Sequence, residues 1–397
     1  MPELAVYADF DWLPVPKPIG TLRSEGRTGK ERYSFEFSEA WLREYPGVFL
    51  SSDLKPVFGR QCAADKSRLF FFLEDALPDL WGRRIVNRCE DICALSEGRG
   101  ARELSEFERL LMTDDCTRPG GLRFKDTEDG DYIGAESRTK APHLSDLELL
   151  AEAAREVEIS FKNHTLPELR WAARLLRPGA ALGGARPKAS VIGADGALYI
   201  AKFPSVHDDC DAELWEHLYH LLAKKCGIRC CETTVVEAAG GRHTLLSKRF
   251  DRIGEKRRHF ASAMALLGLR DGAGADDGYG YIDMAEFILQ SCRNTEANLE
   301  ELYRRAAFNI LSANSDDHFR NHSFILHRDG WELAPAYDLN PGNRNLQSLL
   351  INSLTDDADI GYLLQGAKSW CLSQRTAKRI AEEVREGLSD WKTEARR

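Results

Sequence analysis

Three oxygen-bearing side chains, Asp316, Asn321 and Asp338, lie in one stretch of the chain, five and seventeen positions apart. The stretch runs Asn314-Ser315-Asp316-Asp317-His318-Phe319-Arg320-Asn321 and continues through Ser323-Phe324-Ile325-Leu326 to Leu333-Ala334-Pro335-Ala336-Tyr337-Asp338. A carboxylate can orient and deprotonate a hydroxyl. An amide carbonyl and a second carboxylate are hard oxygen ligands suited to Mg²⁺. A base beside such a ligand pair is what phosphoryl transfer from a nucleotide requires, because that chemistry rests on positioning and charge neutralisation.

The elements that must position these groups are legible too. A helix from about Glu296 to Ala313 is expected to deliver Asp316 at its end. Asp329-Gly330 reads as a two-residue hairpin reversal. That register puts Arg328 opposite Trp331, Leu326 opposite Leu333 and Phe324 opposite Pro335. Extended, it puts Asn321 opposite Asp338, where facing residues lie roughly 5 Å apart. Pro335 donates no ladder hydrogen bond, so pairing should fray there or the strand should be an edge. His318, His322 and His327 offer a zinc alternative, which is the weaker reading because His322 and His327 face opposite ways on a strand.

Upstream, Gly183, Gly184, Ala185, Arg186, Pro187 and Lys188 lie between a helix and a strand. Two glycines let backbone N–H groups approach phosphate oxygens, and Arg186 and Lys188 add positive charge. No Gly-Lys-Ser/Thr follows, so this is not a Walker A loop. The glycines alone read equally well as an ordinary turn. The following strand, Tyr199-Ile200-Ala201-Lys202-Phe203, carries a lysine in apolar surroundings, which favours phosphate contact over turn. Lys202 itself reads either as a phosphate ligand or as a snorkelling edge lysine. Glu216, or less readily Glu213, is placed on the next helix to pair with it. Glycine turn, strand with lysine, helix with glutamate, hairpin, helices and acidic loop follow the order of a two-lobed kinase, with the nucleotide between the lobes.

The chain has 397 residues with a net charge of −9, an isoelectric point near 5.7 and mean hydropathy of −0.41. That length suggests several packed subdomains. The division expected is 1–112, a linker or loose excursion over 113–143, a nucleotide-binding lobe over 144–255 and a helical lobe over 256–397. Ser145 and Glu148 form a candidate capping box at the start of a helix. The acidic balance argues against broad nucleic-acid binding by this chain alone. No apolar run reaches the roughly 18 residues of a membrane span. The first residues lack a secretory pattern, and ten cysteines at irregular spacing favour reduced thiols, so the cytoplasm is the expected compartment.

With Leu182-Gly183-Gly184-Ala185-Arg186-Pro187-Lys188, Ile200 to Pro204, Arg249-Phe250-Asp251-Arg252, Asn314 to His322 and Leu333 to Pro341, the chain resembles the HipA family of serine/threonine kinase toxins. Leu77-Pro78-Asp79 and Trp81-Gly82-Arg83 resemble that family's leading domain. The resemblance implies an α+β, two-lobed protein-kinase-like fold with a small N-terminal α/β subdomain and a mostly helical C-terminal lobe. It implies ATP and Mg²⁺ as cofactors, Asp316 as catalytic base, Lys202 on the phosphates, and Asn321 and Asp338 on the metal. Gly183 to Lys188 would cover the phosphates, with Lys248, Arg249 and Phe250 near the adenine. His318, Arg320, Asn321, Tyr337 and Asp338 would complete the pocket. A small helix-turn-helix antitoxin would supply the DNA contacts, no membrane is involved, and the substrate would be a protein, such as an aminoacyl-tRNA synthetase. The serine that family members often autophosphorylate is Ala181 here, which puts self-inactivation at that spot in doubt. A small-molecule phosphotransferase and an inactive repressor subunit are the rival readings.

Overall fold

The computed structural model describes residues 2–26, 29–64, 68–127, 129–135, 141–179, 184–238 and 240–396. The chain is α+β, as expected, and forms two compact units: Met1–Asp211 with Val235–His259, and Ala212–Thr234 with Phe260–Arg397.

The first unit holds two sheets. Alternating apolar residues build antiparallel strands β1 (Glu3–Ala8), β2 (Lys17–Glu25), β3 (Arg32–Phe37), β4 (Arg60–Cys62) and β5 (Leu122–Lys125), in the order β4-β3-β2-β1-β5. Residues 113–135, read from sequence as linker, contain β5 and a buried ion network. Asp115 accepts from Arg118 at 3.1 Å, Arg123 at 2.7 Å and Arg257 at 2.8 Å. The polar composition of this stretch reflects paired charges rather than solvation. The second sheet comprises β6 (Lys188–Ile192), β7 (Leu198–Lys202), β8 (Thr233–Ala238) and β9 (Arg242–Lys248), ordered β6-β7-β9-β8. The reversal expected at Asp195-Gly196 forms, with Ile192 opposite Leu198. Helices Leu80–Ser96, Leu147–Lys162 and Leu169–Gly179 pack on this sheet through Trp81, Ile85, Val157, Leu175, Val191 and Phe203. The Ser145–Glu148 capping box does not form. A 3-10 turn over Leu144–Asp146 precedes the helix, so the Asp146 carboxylate instead accepts the His143 N–H at 3.1 Å. A short ribbon, β10 (Arg252–Ile253) with β11 (Lys256–Arg257), follows.

The second unit is mostly helical. Helix Ala212–Lys225 packs on Gln374–Leu388, so a segment assigned by sequence to the nucleotide-binding lobe belongs by contacts to this unit. Gly387 permits the approach, since a Cβ there would lie 2.7 Å from Cys226 Sγ. Helix Thr295–Ser312 packs on the same C-terminal helix, with Arg304 donating to Glu383 at 2.6 Å. A small sheet, β12 (Phe260–Ser262), β13 (Ser323–His327) and β14 (Gly330–Leu333), completes the unit. All ten cysteines are free thiols. Among the described residues no helix is long and apolar enough to cross a membrane.

Candidate active site

The 314–322 loop of the second unit is built around two adjacent aspartates with opposite surroundings. Helix Thr295–Ser312 stops at Ala313, a left-handed residue (φ 59°) whose carbonyl accepts the Gly342 N–H at 2.8 Å. Gly342 has to be glycine. A Cβ there would lie 2.6 Å from Ser315 N and 2.7 Å from Ala313 O. Beyond this stop Asp316 projects outward, its side chain 73 % exposed, with Arg344 Nη2 3.6 Å from its carboxylate. Asp317 turns inward and is 2 % exposed. Its carboxylate accepts the Tyr281 hydroxyl at 2.5 Å and meets His322 Nε2 at 2.8 Å. Tyr281 Oη accepts from Asn309 Nδ2 at 3.1 Å, and Asn309 Oδ1 from Asn314 Nδ2 at 3.0 Å. Burial pushes the Asp317 carboxyl up. The charge and hydrogen bond of His322, together with Tyr281, outweigh it and hold the group below the usual carboxylate range. Burial first, then Asp317, raises Tyr281 well above its ordinary value. The loop is therefore pinned through Asp317 and presents Asp316.

The hairpin is present, but its register differs from the one read from sequence. Leu326 pairs with Trp331 and Phe324 with Leu333, so the reversal is Arg328-Asp329 and Gly330 already lies in the ladder opposite His327. A two-residue Asp-Gly reversal of the expected kind needs positive φ at both residues. Here Gly330 has φ 135° while Asp329 does not enter the left-handed region. The turn centre moves back one residue, and the extended register would carry Asn321 to Ala336 rather than Asp338. Pairing ends at Leu333, just before Pro335. A side chain does the joining instead. Tyr337 donates its hydroxyl to the Arg320 carbonyl at 2.7 Å and contacts Ser323 Oγ at 2.5 Å. This ties the residue before Asn321 to the residue before Asp338. Asp338 is left-handed (φ 57°), a conformation Asp tolerates better than most, and its Oδ1 accepts from Asn340 at 3.2 Å.

Asn321 donates Nδ2 to the Asp316 carbonyl at 3.3 Å, which leaves Oδ1 as the atom suited to a cation. Asn321 and Asp338 thus supply an amide oxygen and a carboxylate, a donor set that fits Mg²⁺. His318 precedes the 3-10 turn Phe319–Asn321, its carbonyl accepting the Asn321 N–H at 2.8 Å, and Arg320 pairs with Asp271 at 2.8 Å. His322 is committed to Asp317, and His327 Nε2 lies 3.3 Å from Glu332.

In the first unit, Gly183 and Ala181 lie outside the described residues. Gly184 is left-handed (φ 87°), and its N–H donates to the Asp79 carboxylate. Its carbonyl accepts the Trp81 N–H at 3.1 Å. Lys188 and Lys202 stand directly opposite one another on β6 and β7, 5 % and 8 % exposed. Opposite residues of an antiparallel pair project to the same face, so two ammonium-bearing chains share one side of the sheet. The Lys188 ammonium folds back over Gly184, within 2.5 Å of where a Cβ would stand. Ala185 is exposed and Pro187 buried, its carbonyl accepting the Phe203 N–H at 2.9 Å. Arg186 forms a bidentate pair with Asp208 at 2.7 and 2.6 Å. Lys248 reaches Asp195 at 3.0 Å, and half-buried Phe250 follows Arg249. Arg249 is buried against Asp251 at 2.7 Å and the Thr117 carbonyl at 2.7 Å. Glu216 belongs to the second unit, buried, with its carboxylate 3.8 Å from His220 Nε2.

The structure thus gathers Gly184, Lys188 and Lys202 in one unit, and Asp316, Asn321, Tyr337 and Asp338 in the other. It sets Arg186, Lys248 and Arg249 in ion pairs of their own. Sequence reasoning passed over Asp317 and Tyr281, which anchor the loop, and Gly342, whose Asn340-Pro341-Gly342 run was a readable turn signal.

Fold and loop together define an α+β, kinase-like protein. The chain belongs to the HipA-like family: the HipA-like C-terminal domain matches residues 180–391. The serine/threonine-protein kinase toxin HipA of Shewanella oneidensis is 28 % identical over 192 residues, which are 41 % of this chain and 43 % of that one. A relative from Haemophilus influenzae is 31 % identical over 134 residues, 31 % of this chain and 39 % of that one. The matched segments therefore span less than half the length of either relative. Among solved structures, HipA in the Shewanella oneidensis complex of HipA, HipB and operator DNA shares the fold, with a TM-score of 0.66 at 18 % identity over 98 % of this chain and 91 % of that one.

Proposed function

We propose that this chain is a Mg·ATP-dependent serine/threonine protein kinase acting as the toxin of a toxin–antitoxin pair. The observation that carries the reading is the 314–322 loop, which holds one carboxylate out to solvent by burying its neighbour. A base must reach a hydroxyl and must not wander, and the Asp317–Tyr281–His322 anchor meets both needs. Asp316 orients the substrate hydroxyl and accepts its proton. Lys202, with Lys188 beside it, neutralises phosphate charge, which is most of the catalytic task in this chemistry. Asn321 Oδ1 and the Asp338 carboxylate would hold Mg²⁺, which when bound would supply positive charge against the phosphates. The partner is a small helix-turn-helix antitoxin carrying the DNA contacts, in keeping with the HipB and operator DNA that accompany the structural relative. The acidic charge of this chain agrees with indirect DNA binding.

Asp316→Asn should reduce transfer of labelled γ-phosphate by more than about a thousandfold while MgATP binding persists. Undiminished incorporation by that variant removes Asp316 from the mechanism.

A further inference from the structure

We propose that Asp79 and Trp81, at the start of helix Leu80–Ser96, are positioning residues for the phosphate-binding segment Gly184–Lys188. The inference rests on the nucleotide reading above. Both residues lie outside the 180–391 region that defines the family match.

Asp79 occupies the N-cap position of its helix, extended at φ −88° and ψ −170°, yet its side chain caps no N–H of that helix. An N-cap aspartate ordinarily accepts from the second or third helical N–H. Here the carboxylate takes the Gly184 N–H, 105 positions away. The Trp81 backbone N–H is one of the first-turn donors that a helix leaves without an internal acceptor. It goes to the Gly184 carbonyl at 3.1 Å. The indole Nε1–H donates to the Lys188 carbonyl at 3.0 Å. Trp81 is fully buried and meets Phe161 edge-on at 6.5 Å, so its indole has a fixed direction. Gly179 makes room: a Cβ there would lie 3.0 Å from Lys188 O and 3.5 Å from Trp81 Nε1.

Two residues therefore hold both ends of the turn. Gly184 is fixed by its N–H and its carbonyl, and Lys188 by its carbonyl at the point where β6 begins opposite Lys202. A glycine turn held from outside presents its lysine without the ordering penalty that a loose segment meets on binding a ligand. The first hundred residues thereby act on nucleotide affinity, and the chemical step, carried by Asp316, is left alone.

The test uses the full chain with Asp79→Ala, Asp79→Asn and Trp81→Phe. Asparagine keeps a carbonyl acceptor for Gly184, and phenylalanine keeps the packing while losing the indole donor. Asp79→Ala should weaken MgATP binding and raise its KM about tenfold, with kcat at saturation within about twofold of wild type. Asp79→Asn should recover most of the loss, and Trp81→Phe should weaken binding severalfold. Hydrogen exchange at Gly184 and Lys188 should accelerate in Asp79→Ala and slow again in Asp79→Asn. Binding by Asp79→Ala equal to or tighter than wild type, or unchanged exchange, overturns the proposal. A wild-type chain that binds no MgATP sinks the nucleotide reading, while the exchange measurement still decides whether the clamp exists.

Discussion

The glycine segment of the first unit and the acidic loop of the second solve one problem in different ways. Both must present a charged group from irregular backbone. The Gly184–Lys188 turn is held by hydrogen bonds from a helix start remote in sequence, through Asp79 and Trp81. The 314–322 loop is held from within, by the aspartate next to the presented one and a chain of buried polar groups. The first arrangement makes position adjustable without unfolding. The second makes position and local stability one property.

That contrast predicts where substitutions register. Asp317→Ala leaves His322 and the Tyr281 hydroxyl buried without their acceptor, and removing one member of such a network costs about 3 to 5 kcal/mol. Denaturant unfolding of the second unit should show a loss of that order. A change below about 1 kcal/mol would mean that Asp317 is not the anchor. Lys202→Met is the counterpart. It keeps the aliphatic stem and removes the ammonium, so stability should hold while phosphoryl transfer falls a hundredfold or more, equivalent to ~2.7 kcal/mol in the barrier. Parallel loss of stability and activity in that variant would erase the distinction between the two regions.

Much of this is legible in the sequence. The 316–321–338 spacing, the helix that delivers it, the hairpin and the lysine-bearing strand follow from residue types and periodicity. What was hidden divides along the same contrast. Asp317 gives no sign of its role, because burial is a tertiary fact that spacing does not carry. Nothing local shows that the donors and acceptors of Asp79 and Trp81 go to residues 184 and 188. The hairpin register slipped because an Asp-Gly pair specifies a turn only if both residues take positive φ. Arg249 was placed near a nucleotide base by resemblance, and its buried hydrogen bond to the Thr117 carbonyl joins segments that no periodicity links.

Gly342 tests whether the loop's stop is as rigid as its anchor. Gly342→Ala would press a methyl group against Ser315 N and Ala313 O, both backbone atoms that cannot swing aside. Overpacking of this kind costs about 1 to 3 kcal/mol. Because the strain falls on the turn that launches Asp316, kcat should drop more than MgATP affinity. Equal losses in both would place the disturbance elsewhere.

Acid titration reports on a buried histidine of the first unit and on Asp317 of the second. His259 in the first stacks on Phe10 at 4.8 Å, and burial depresses its pKa to about 3. An unfolded histidine titrates near ~6.5. Between these values the unfolded chain takes up a proton that the folded one refuses, so stability falls as pH falls across that window. The slope is on the order of 1 kcal/mol per pH unit. Asp317 works in a lower window. Its folded pKa lies below the unfolded value of ~3.9, so its contribution is complete above about pH 4 and is lost as pH falls toward the folded value. Hydrogen exchange followed from pH 7 to pH 4 should therefore show the residues packed around His259 loosening. His259→Gln, which cannot titrate, should flatten the first unit's pH dependence. An unaltered slope in that variant would show that burial of His259 is not what sets the first unit's acid limit.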